Sequence, residues 1–424
     1  MTIETKLTQH CLGCGWVGSE PFVSRGDGVM LVRCQRCRSI YLERIPVRVA
    51  DLYTDNYFAL TAGHAELNQD ERIGYEGSYE NTYLDSEFYW AFRLADFVAN
   101  SLQGDVQARR CLDIGAATGR LLNVFRAAGY KTHGIEFSDP ARGIADGRGH
   151  VMTNQSVETL LTEHAGFEVV TALEVIEHVE DLRGFFGGIN RVMADNGIFL
   201  GYFPSADERW FGPTSNYHWL NNSLEHLIYP SEDGIRRAMA EAFGDNVFIA
   251  TFLTVQGKDV IPFSLVIALK NPVSAERRAL VAELFRQLNY LTDRELAFAD
   301  VGPAALAAGW KAAIEEQTDA IPADLPFVAA LLCSKFGTFA VPRFLMQCGF
   351  LAERLTDKQV LDFLAMAMHQ GSIHFMENLL KSTTERSFMP SIRQEFHRLA
   401  DDYQKSQLSI AEVADVYVGV DKAE

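Results

Sequence analysis

A chain of 424 residues has room for two or three domains, each able to bury a core of its own. Hydrophobic residues make up 48% and charged residues 22%, which excludes a disordered or low-complexity chain. The net charge of −18 argues against a protein that mainly grips nucleic acid phosphates. No apolar run reaches the roughly 18 residues that a membrane span needs, and the polar start lacks a signal-peptide core, so we expect a cytoplasmic protein.

The first 50 residues differ in charge and cysteine content from the rest of the chain. They hold seven Lys and Arg against four acids, a net charge of +3, so the remaining 374 residues carry −21. They also hold four of the seven cysteines. An odd total and this crowding favour metal binding in a reducing compartment over a disulfide framework.

The four N-terminal cysteines form two Cys-x2-Cys pairs, Cys11/Cys14 and Cys34/Cys37, with 19 residues between them. This spacing is typical of a tetrahedral zinc site, because two intervening residues let a tight turn aim both thiolates at one ion. Gly15 eases the first turn. Four protein ligands leave no open position for water, so the sequence predicts a structural Zn²⁺ in a zinc-ribbon domain over residues 1–52.

A connector or lid rich in Tyr, Asp and Glu follows over residues 53–105. Tyr75, Tyr79 and Tyr83 recur every four residues, which predicts that they share one face of a helix. We interpret this face as a packing surface.

Over residues 106–272 short apolar runs alternate with helical stretches, which predicts an α/β domain with a mostly parallel seven-stranded sheet. The predicted strands are Cys111–Ile114, Thr132–Phe137, Val151–Thr153, Val169–Leu173, Ile198–Phe203, Val247–Val255 and Phe263–Leu269. The predicted helices are Leu121–Ala128, Pro140–Asp146, Val157–Glu163, Leu182–Met193 and Ser231–Ala242. Only Gln256–Pro262 separates the last two strands, so we expect an antiparallel hairpin at one edge of the sheet.

Beyond Pro272 the strand signal disappears, and amphipathic patterns predict a helical domain over residues 273–424. The predicted helices include Ala275–Leu291, Ala304–Gln317, Lys358–His369 and Ser391–Tyr403. Their apolar faces must pack somewhere, so we expect this domain to serve substrate binding or homo-oligomerisation.

The glycine-containing run Cys111–Gly119 ends a strand and opens a helix, which is where ligands bind in open α/β sheets. A dinucleotide fingerprint would need two further glycines where Ala117 and Arg120 stand, so that interpretation is disfavoured. Glu136 ends the next strand 21 positions after Gly115, where a carboxylate can accept hydrogen bonds from both hydroxyls of an adenosine ribose.

These residues carry a family resemblance. The run Leu112–Gly119 resembles the first motif of class I S-adenosylmethionine-dependent methyltransferases, and Gly134–Ser138 resembles their ribose-binding strand. Phe167–Val179 and Glu225–Ser231 resemble segments of the ubiquinone-type O-methyltransferase branch. The resemblance covers about residues 110–272. The four-cysteine ribbon ahead of it resembles the N-terminus of bacterial methyltransferases that act on sugars, glycans or secondary metabolites.

The resemblance implies a Rossmann-like class I methyltransferase fold with an antiparallel last strand, and S-adenosyl-L-methionine as cofactor. Asp113 would hold the methionine ammonium, Glu136 the ribose, and Phe137 would lie against the adenine. The other implied cofactor-binding residues are Gly115, Ala116 and Gly119 in the loop, Ser156 and Val157 after the third strand, and Leu173 and Glu174 at the end of the fourth.

Methyl transfer from a sulfonium depends mainly on aligning nucleophile and methyl group, and a base matters when the acceptor is a hydroxyl. His226, His178 and Glu177 are the candidate catalytic residues, and we favour His226 because it lies in an acceptor-lining loop. A buried structural role for either histidine stays open. Glu174, Glu177 and His178 would share a face if their turn is helical, and the branch includes enzymes that use a divalent cation there.

We therefore expect methyl transfer to a small-molecule or glycan-type acceptor, at a hydroxyl. One alternative is an RNA-base methyltransferase, which the basic ribbon allows. The charge of −21 elsewhere and the absence of an Asn/Asp-Pro-Pro-aromatic run argue against nucleic acid as the partner. A second alternative, a non-catalytic S-adenosylmethionine-binding module, stays open.

Overall fold

The computed structural model describes residues 4–25, 28–47, 109–127, 129–160, 165–206, 226–256 and 259–296, together with Ala91, Ala95 and Leu220. The chain divides into two compact units, one of Met1–Tyr79 with Ala95–Thr292, the other of Glu80–Leu94 with Asp293–Glu424. Of the second unit only Ala91 and residues 293–296 are described. The predicted tyrosine face and the predicted helices beyond residue 296 lie outside the described residues.

Five short strands build the N-terminal region. They are β1 (Thr5–Leu7), β2 (Ser19–Ser24), β3 (Met30–Cys34), β4 (Ile40–Leu42) and β5 (Arg44–Pro46). Strands β1 and β5 pair with each other, while β2, β3 and β4 form an antiparallel sheet. The two Cys-x2-Cys turns lie at the ends of this sheet, and all four thiols are buried.

The central element of the same unit is a seven-stranded sheet. Its strands are β6 (Arg110–Ile114), β7 (Lys131–Ile135), β8 (Val151–Thr153), β9 (Phe167–Leu173), β10 (Met193–Pro204), β12 (Val247–Gln256) and β13 (Asp259–Leu269). One further strand of this region, β11 (Ile228–Tyr229), does not belong to this sheet. The order is β12-β13-β10-β9-β6-β7-β8. Strand β13 is antiparallel to both its neighbours, and β6 to β10 are parallel. The predicted mostly parallel sheet and its edge hairpin are confirmed.

Strand β11 pairs with β4 of the N-terminal sheet, where Ile228 lies opposite Tyr41 and Tyr229 opposite Ile40. The N-terminal sheet therefore has four strands in the order β11-β4-β3-β2. The sequence analysis predicted no strand here, because two residues are too few to show an alternating pattern.

Five α-helices are described: α1 (Arg120–Ala127), α2 (Asp139–Gly147), α3 (Leu182–Val192), α4 (Glu232–Phe243) and α5 (Ala275–Leu296). The side chains of Ser138, Asp181 and Ser231 cap α2, α3 and α4 by accepting a backbone N–H three residues on. Helices α3 and α4 cover the sheet, where Phe186, Phe199 and Phe243 form a continuous aromatic layer. Among the described helices none is long and apolar enough to cross a membrane.

One predicted helix, Val157–Glu163, is wrong over its described part, because residues 157–159 form a turn. The guanidinium of Arg191 in α3 explains this. It donates to the carbonyls of Val157 and Glu158 at 3.2 and 2.7 Å. A helix would need the same carbonyls for its own hydrogen bonds, so packing against α3 selects the turn.

Helix α3 tests this packing through two adjacent glycines. A Cβ at Gly188 would meet the Val157 carbonyl oxygen at 2.9 Å, whereas one at Gly187 would meet nothing within 4 Å. We expect Gly188→Ala to lower the free energy of unfolding by about 1–3 kcal/mol through overpacking. Gly187→Ala, the matched control, should raise it by about 0.5–1 kcal/mol through helix propensity. Denaturant unfolding of both variants checks this, and equal effects would contradict the close contact.

Candidate cofactor and acceptor site

The loop after β6 turns back on itself through three residues with positive φ. These are Gly115 at 74°, Ala117 at 46° and Gly119 at 79°. The backbone N–H groups of Gly115 and Ala116 both donate to the Ile135 carbonyl, at 2.9 and 3.0 Å. A Cβ at Gly115 would lie 2.5 Å from Val175 Cγ2. Glycine at 115 is therefore required both by its backbone conformation and by the turn that follows β9.

Asp113 lies at the end of β6 and is only 5% exposed. The hydroxyl of Thr171, its register partner on β9, donates to Asp113 Oδ1 at 2.6 Å. Burial raises the pKa of Asp113 to about 7; the Thr171 hydrogen bond lowers it and the charge of Glu136 raises it. A buried carboxyl that titrates near neutral pH is suited to receiving a cationic group, which would stabilise its charged form.

Glu136 joins the glycine loop to the start of α2. Its Oε2 accepts from the Ala117 N–H at 2.9 Å and its Oε1 from the Ser138 N–H at 2.7 Å. Burial raises the pKa of Glu136, and these backbone hydrogen bonds oppose the rise. Each oxygen keeps lone-pair capacity for a further donor, as a ribose diol would need.

The other predicted cofactor residues lie along the same carboxyl edge of the sheet. Phe137 is 44% exposed, an unusual fraction for a large apolar ring. Val157 and Leu173 are buried, and Ser156 is half-buried. The structure thus places an exposed aromatic ring beside Glu136, at the position from which the sequence predicted contact with an adenine.

A second cluster follows β9, in the short 3₁₀ helix Ile176–His178. Glu177 Oε1 lies 3.9 Å from Nε2 of His178 and 3.9 Å from Nε2 of His226. The two imidazole rings meet edge to face with centroids 4.9 Å apart. One ligand atom from each of the three side chains lies within 4.8 Å of the others. The fold therefore brings together all three predicted catalytic residues.

The electrostatics of this cluster favour neutral imidazole at His226. Its side chain is 23% exposed, and that of Glu177 is 1% exposed. Burial lowers the pKa of His226 well below its usual value, and the charges of His178 and of Arg25 lower it further. A neutral ring can accept a proton, and the adjacent Glu177 carboxylate would stabilise the resulting cation.

Glu174 does not belong to this cluster, contrary to the idea that Glu174, Glu177 and His178 share a helical face. Its φ is 56°, and its N–H donates to the Tyr202 carbonyl at 2.7 Å. The 3₁₀ turn begins only at Ile176, so Glu174 lies before it and the i, i+3 and i+4 spacing does not apply. His226 takes the third position instead.

The four cysteines converge on one point. Sγ of Cys11 and Cys37 are 3.6 Å apart, as are those of Cys14 and Cys34, and all four lie within 4.8 Å of one another. Tetrahedral zinc at Zn–S of about 2.3 Å needs sulfurs roughly 3.8 Å apart, so the residues fit the ion. The N–H groups of Arg36 and Cys37 approach Cys34 Sγ at 3.4 and 3.5 Å.

Three residues with a part in these sites escaped the sequence analysis. Thr171 had a usable signal, since it is the polar residue that interrupts the apolar stretch Val169–Leu173 of its strand. Arg25 and Ser39 had none, because they act across domains: Arg25 is a buried residue of the N-terminal region whose charge reaches His226. The hydroxyl of Ser39 is hydrogen-bonded to that of Ser231, which is 192 positions away in the sequence.

Sequence comparisons place the chain beside known proteins. The family described as "Methyltransferase domain" matches residues 89–246. A ubiquinone biosynthesis O-methyltransferase of Bordetella avium (strain 197N) is 34% identical over 146 residues, covering 31% of this chain and 61% of that protein. Another, of Aromatoleum aromaticum, is 38% identical over 80 residues, covering 17% of this chain and 34% of that protein. The chain thus spans 34% to 61% of the length of these curated relatives.

Two solved structures resemble the fold at low identity. One is an S-adenosylmethionine-dependent methyltransferase of Thermotoga maritima, described as a possible histamine N-methyltransferase. It is 16% identical, with a TM-score of 0.33, over 46% of this chain and 95% of that one. The other is geranyl diphosphate C-methyltransferase of Streptomyces coelicolor A3(2), 15% identical, with a TM-score of 0.33, over 42% of this chain and 77% of that one.

The pKa of Asp113 can be tested through Thr171. Thr171→Val removes the hydrogen bond that favours the carboxylate, so the pKa should rise from about 7 by roughly a unit or more. The folded pKa lies above the unfolded value of 3.8. The free energy of unfolding should therefore fall as pH rises from 3.8 to about 7. In the variant this decrease should continue to higher pH, because the folded pKa is higher.

Carbon-13 NMR titration of the Asp113 carboxyl measures this. Thr132→Val is the matched control, because the Thr132 hydroxyl is buried on the neighbouring strand but bonds His150 instead. Equal pKa values of Asp113 in Thr171→Val and wild type would show that the hydrogen bond does not act on its charge.

Proposed function

We propose that this chain, which carries a class I S-adenosylmethionine-dependent methyltransferase domain over residues 89–246, transfers a methyl group to the hydroxyl of a small-molecule or glycan-type acceptor. The observation that carries the proposal is the pairing of two sites along one sheet edge. A buried acidic cradle lies at the ends of β6 and β7, and the Glu177, His178 and His226 cluster follows β9. Val175 joins the two, because its side chain fills the space beside Gly115.

In this proposal the cradle holds the cofactor, which supplies an electrophilic methyl group on a sulfonium. Asp113 accepts the methionine ammonium, whose positive charge would lower the raised pKa of that carboxyl. The two oxygens of Glu136 would accept hydrogen bonds from the ribose hydroxyls, and Phe137 would lie against the adenine. The backbone of Gly115, Ala116 and Gly119 forms the wall of the cradle. Ser156, Val157, Leu173 and Glu174 border it along the sheet edge.

The histidine cluster removes the proton of the acceptor hydroxyl. A hydroxyl is a weak nucleophile at neutral pH, so a positioned base accelerates its attack. The lowered pKa keeps His226 unprotonated, and Glu177 stabilises the charge when the ring accepts the acceptor proton. His178 lies against the other ring and holds its orientation.

The proposal includes a structural Zn²⁺ bound by Cys11, Cys14, Cys34 and Cys37. Support comes from the sulfur–sulfur distances and from the burial of all four thiols. Burial raises the pKa of Cys14 to about 11. The pKa of Cys37 falls to about 5, mainly through its contact with the Cys11 thiol. A bound dication would hold all four thiols in their charged thiolate form.

Methyl transfer is tested with labelled S-adenosylmethionine and a host-cell metabolite extract, followed by mass spectrometry of what gains a methyl group. We expect a small hydroxyl compound or glycan to be labelled. On that acceptor His226→Ala should lower turnover about a hundredfold or more while cofactor affinity stays within about twofold. His10→Ala is the control, because His10 is an exposed histidine of the N-terminal region.

Unchanged turnover in His226→Ala would show that alignment alone drives the reaction. Labelling of RNA, with copurified nucleic acid absorbing at 260 nm, would favour the RNA-base alternative. Tight binding of S-adenosylmethionine with no labelled product in any pool would favour a binding module.

The zinc site predicts one zinc per chain by inductively coupled plasma mass spectrometry. Changing both Cys11 and Cys34 to Ser should abolish it, since two ligands do not hold the ion. Cys111→Ser should retain it, because Cys111 lies in β6 outside the cluster. Zinc-free wild type, or zinc retained in the double variant, would refute the assignment.

A further inference from the structure

The segment from His226 to Gly234 is held on one side by the four-cysteine region. Strand β11 in this segment pairs with β4. The Leu42 N–H also donates to the Leu227 carbonyl at 3.0 Å. His226 is thus the residue directly before the point where the chain docks on the N-terminal sheet.

Ser231 makes a second attachment, beside the metal ligands. Its N–H donates to Ser39 Oγ at 3.0 Å, and its hydroxyl donates to the carbonyl of Cys37. Ser39 Oγ in turn lies 3.3 Å from Cys37 Sγ. Ser231 Oγ also accepts the Gly234 N–H at 3.0 Å, which caps helix α4. One continuous set of contacts therefore links a metal ligand to the start of a helix in the central domain.

The cysteine turns and the start of helix α4 are closely packed against each other. A Cβ at Gly234 would overlap Ser39 Oγ and come within 3.4 Å of Cys37 Sγ. A Cβ at Gly13 would lie 3.1 Å from Ser39 Oγ and 3.5 Å from Gly234 Cα. Both cysteine turns therefore touch the backbone of α4 at its N-terminus, where the helix dipole favours the negative charge of thiolates.

The other side of the segment is tied to the acceptor site. The Leu227 N–H donates to the Glu177 carbonyl at 2.8 Å. The Pro230 carbonyl accepts from the Ser205 hydroxyl at 3.1 Å and from the Ala206 N–H at 3.0 Å. Leu227 therefore bridges Leu42 of β4 and Glu177, two residues that no sequence motif connects. By contrast, the glycine loop bonds to Ile135 and Glu136 within the central sheet.

We propose that Ser39 and Ser231 are positioning residues that make the arrangement of His226 and Glu177 depend on metal loading of the four cysteines. The proposal rests on the zinc site proposed above. Binding of zinc by four thiolates is itself folding energy for the cysteine turns. Once those turns loosen, residues 226–231 lose the two-residue pairing and the serine contacts, and they keep only the hydrogen bonds of Leu227 and Pro230 to the central domain. Metal loss should therefore disorganise the acceptor side and spare the cofactor cradle.

Hydrogen exchange with mass spectrometry tests the coupling on the full chain, zinc-loaded and after chelation. Ser39→Ala and chelation should each speed exchange of the amides of residues 227–229 and 231 at least about tenfold, because the acceptor of the Ser231 N–H is lost or displaced and the pairing with β4 loosens with it. Amides of β6 and β7 should not change, and affinity for S-adenosylmethionine by calorimetry should stay within about twofold. Ser274→Ala is the matched control, because the Ser274 hydroxyl accepts the Arg277 N–H at the start of α5.

Linkage provides a second readout that does not depend on activity. If zinc binding favours the ordered form of residues 226–231, then the ordered form must bind zinc more tightly than the disordered form by the same factor, and a variant that depopulates the ordered form must weaken zinc binding. Ser231→Ala lies outside the cysteine turns, and it should lower zinc affinity about tenfold in competition with a chromogenic chelator. Ser274→Ala should leave zinc affinity unchanged.

Zinc-free wild type would refute the zinc site and the coupling together. Zinc-loaded Ser39→Ala with unchanged exchange at residues 227–229 and 231, or Ser231→Ala with unchanged zinc affinity, would refute the coupling alone. Faster exchange spread evenly over β6 and β7 would also overturn it, because the serines would then contribute only to global stability.

Discussion

The architecture depends on the pairing of two residues, Ile228 and Tyr229, with β4. This pairing completes the N-terminal sheet with a strand from the central domain, so neither part has its full hydrogen bonding alone. His226 lies two positions before the paired residues, and Ser231 lies two positions after them. Helix α4 begins at Glu232, and its N-terminus packs against the cysteine turns. A short piece of backbone pairing thus sets the positions of a candidate base, a helix cap and the proposed metal site.

Burial of carboxylates is the second organising constraint. Asp113, Glu136 and Glu177 are all buried along the carboxyl edge of the sheet, where an uncompensated charge is costly. Each is compensated differently. A hydroxyl bonds Asp113, two backbone N–H groups bond Glu136, and two imidazoles flank Glu177. Asp113 and Glu136 have partners that suit the proposed cationic, ribose-bearing cofactor, whereas the partners of Glu177 suit the proposed proton transfer. The proposed division of this acidic edge into a cofactor half and an acceptor half is based on these partners.

The central sheet and both cysteine turns were predictable because their signals are local. Strand runs such as Val151–Thr153 follow from apolar pattern, and the turn spacing of Cys11/Cys14 and Cys34/Cys37 follows from ligand geometry. The predicted helix at Val157–Glu163 is wrong over its described part, where the carbonyls of Val157 and Glu158 bond Arg191, a residue distant in sequence. Glu174 does not join its expected cluster because the 3₁₀ turn begins only at Ile176 and because its own φ of 56° is not helical.

The sequence by itself indicated the class of domain, the glycine loop with Asp113 and Glu136, and, through the family resemblance, Glu177, His178 and His226 as candidate catalytic residues. It could do so because motif residues lie close together along the chain or at fixed strand ends. Only the tertiary structure decided that His226 meets Glu177 and His178, and that Ser39 bonds Ser231 across 192 positions. Strand pairing and helix docking bring such residues together, and the free energy of those contacts depends on surfaces that no local pattern encodes.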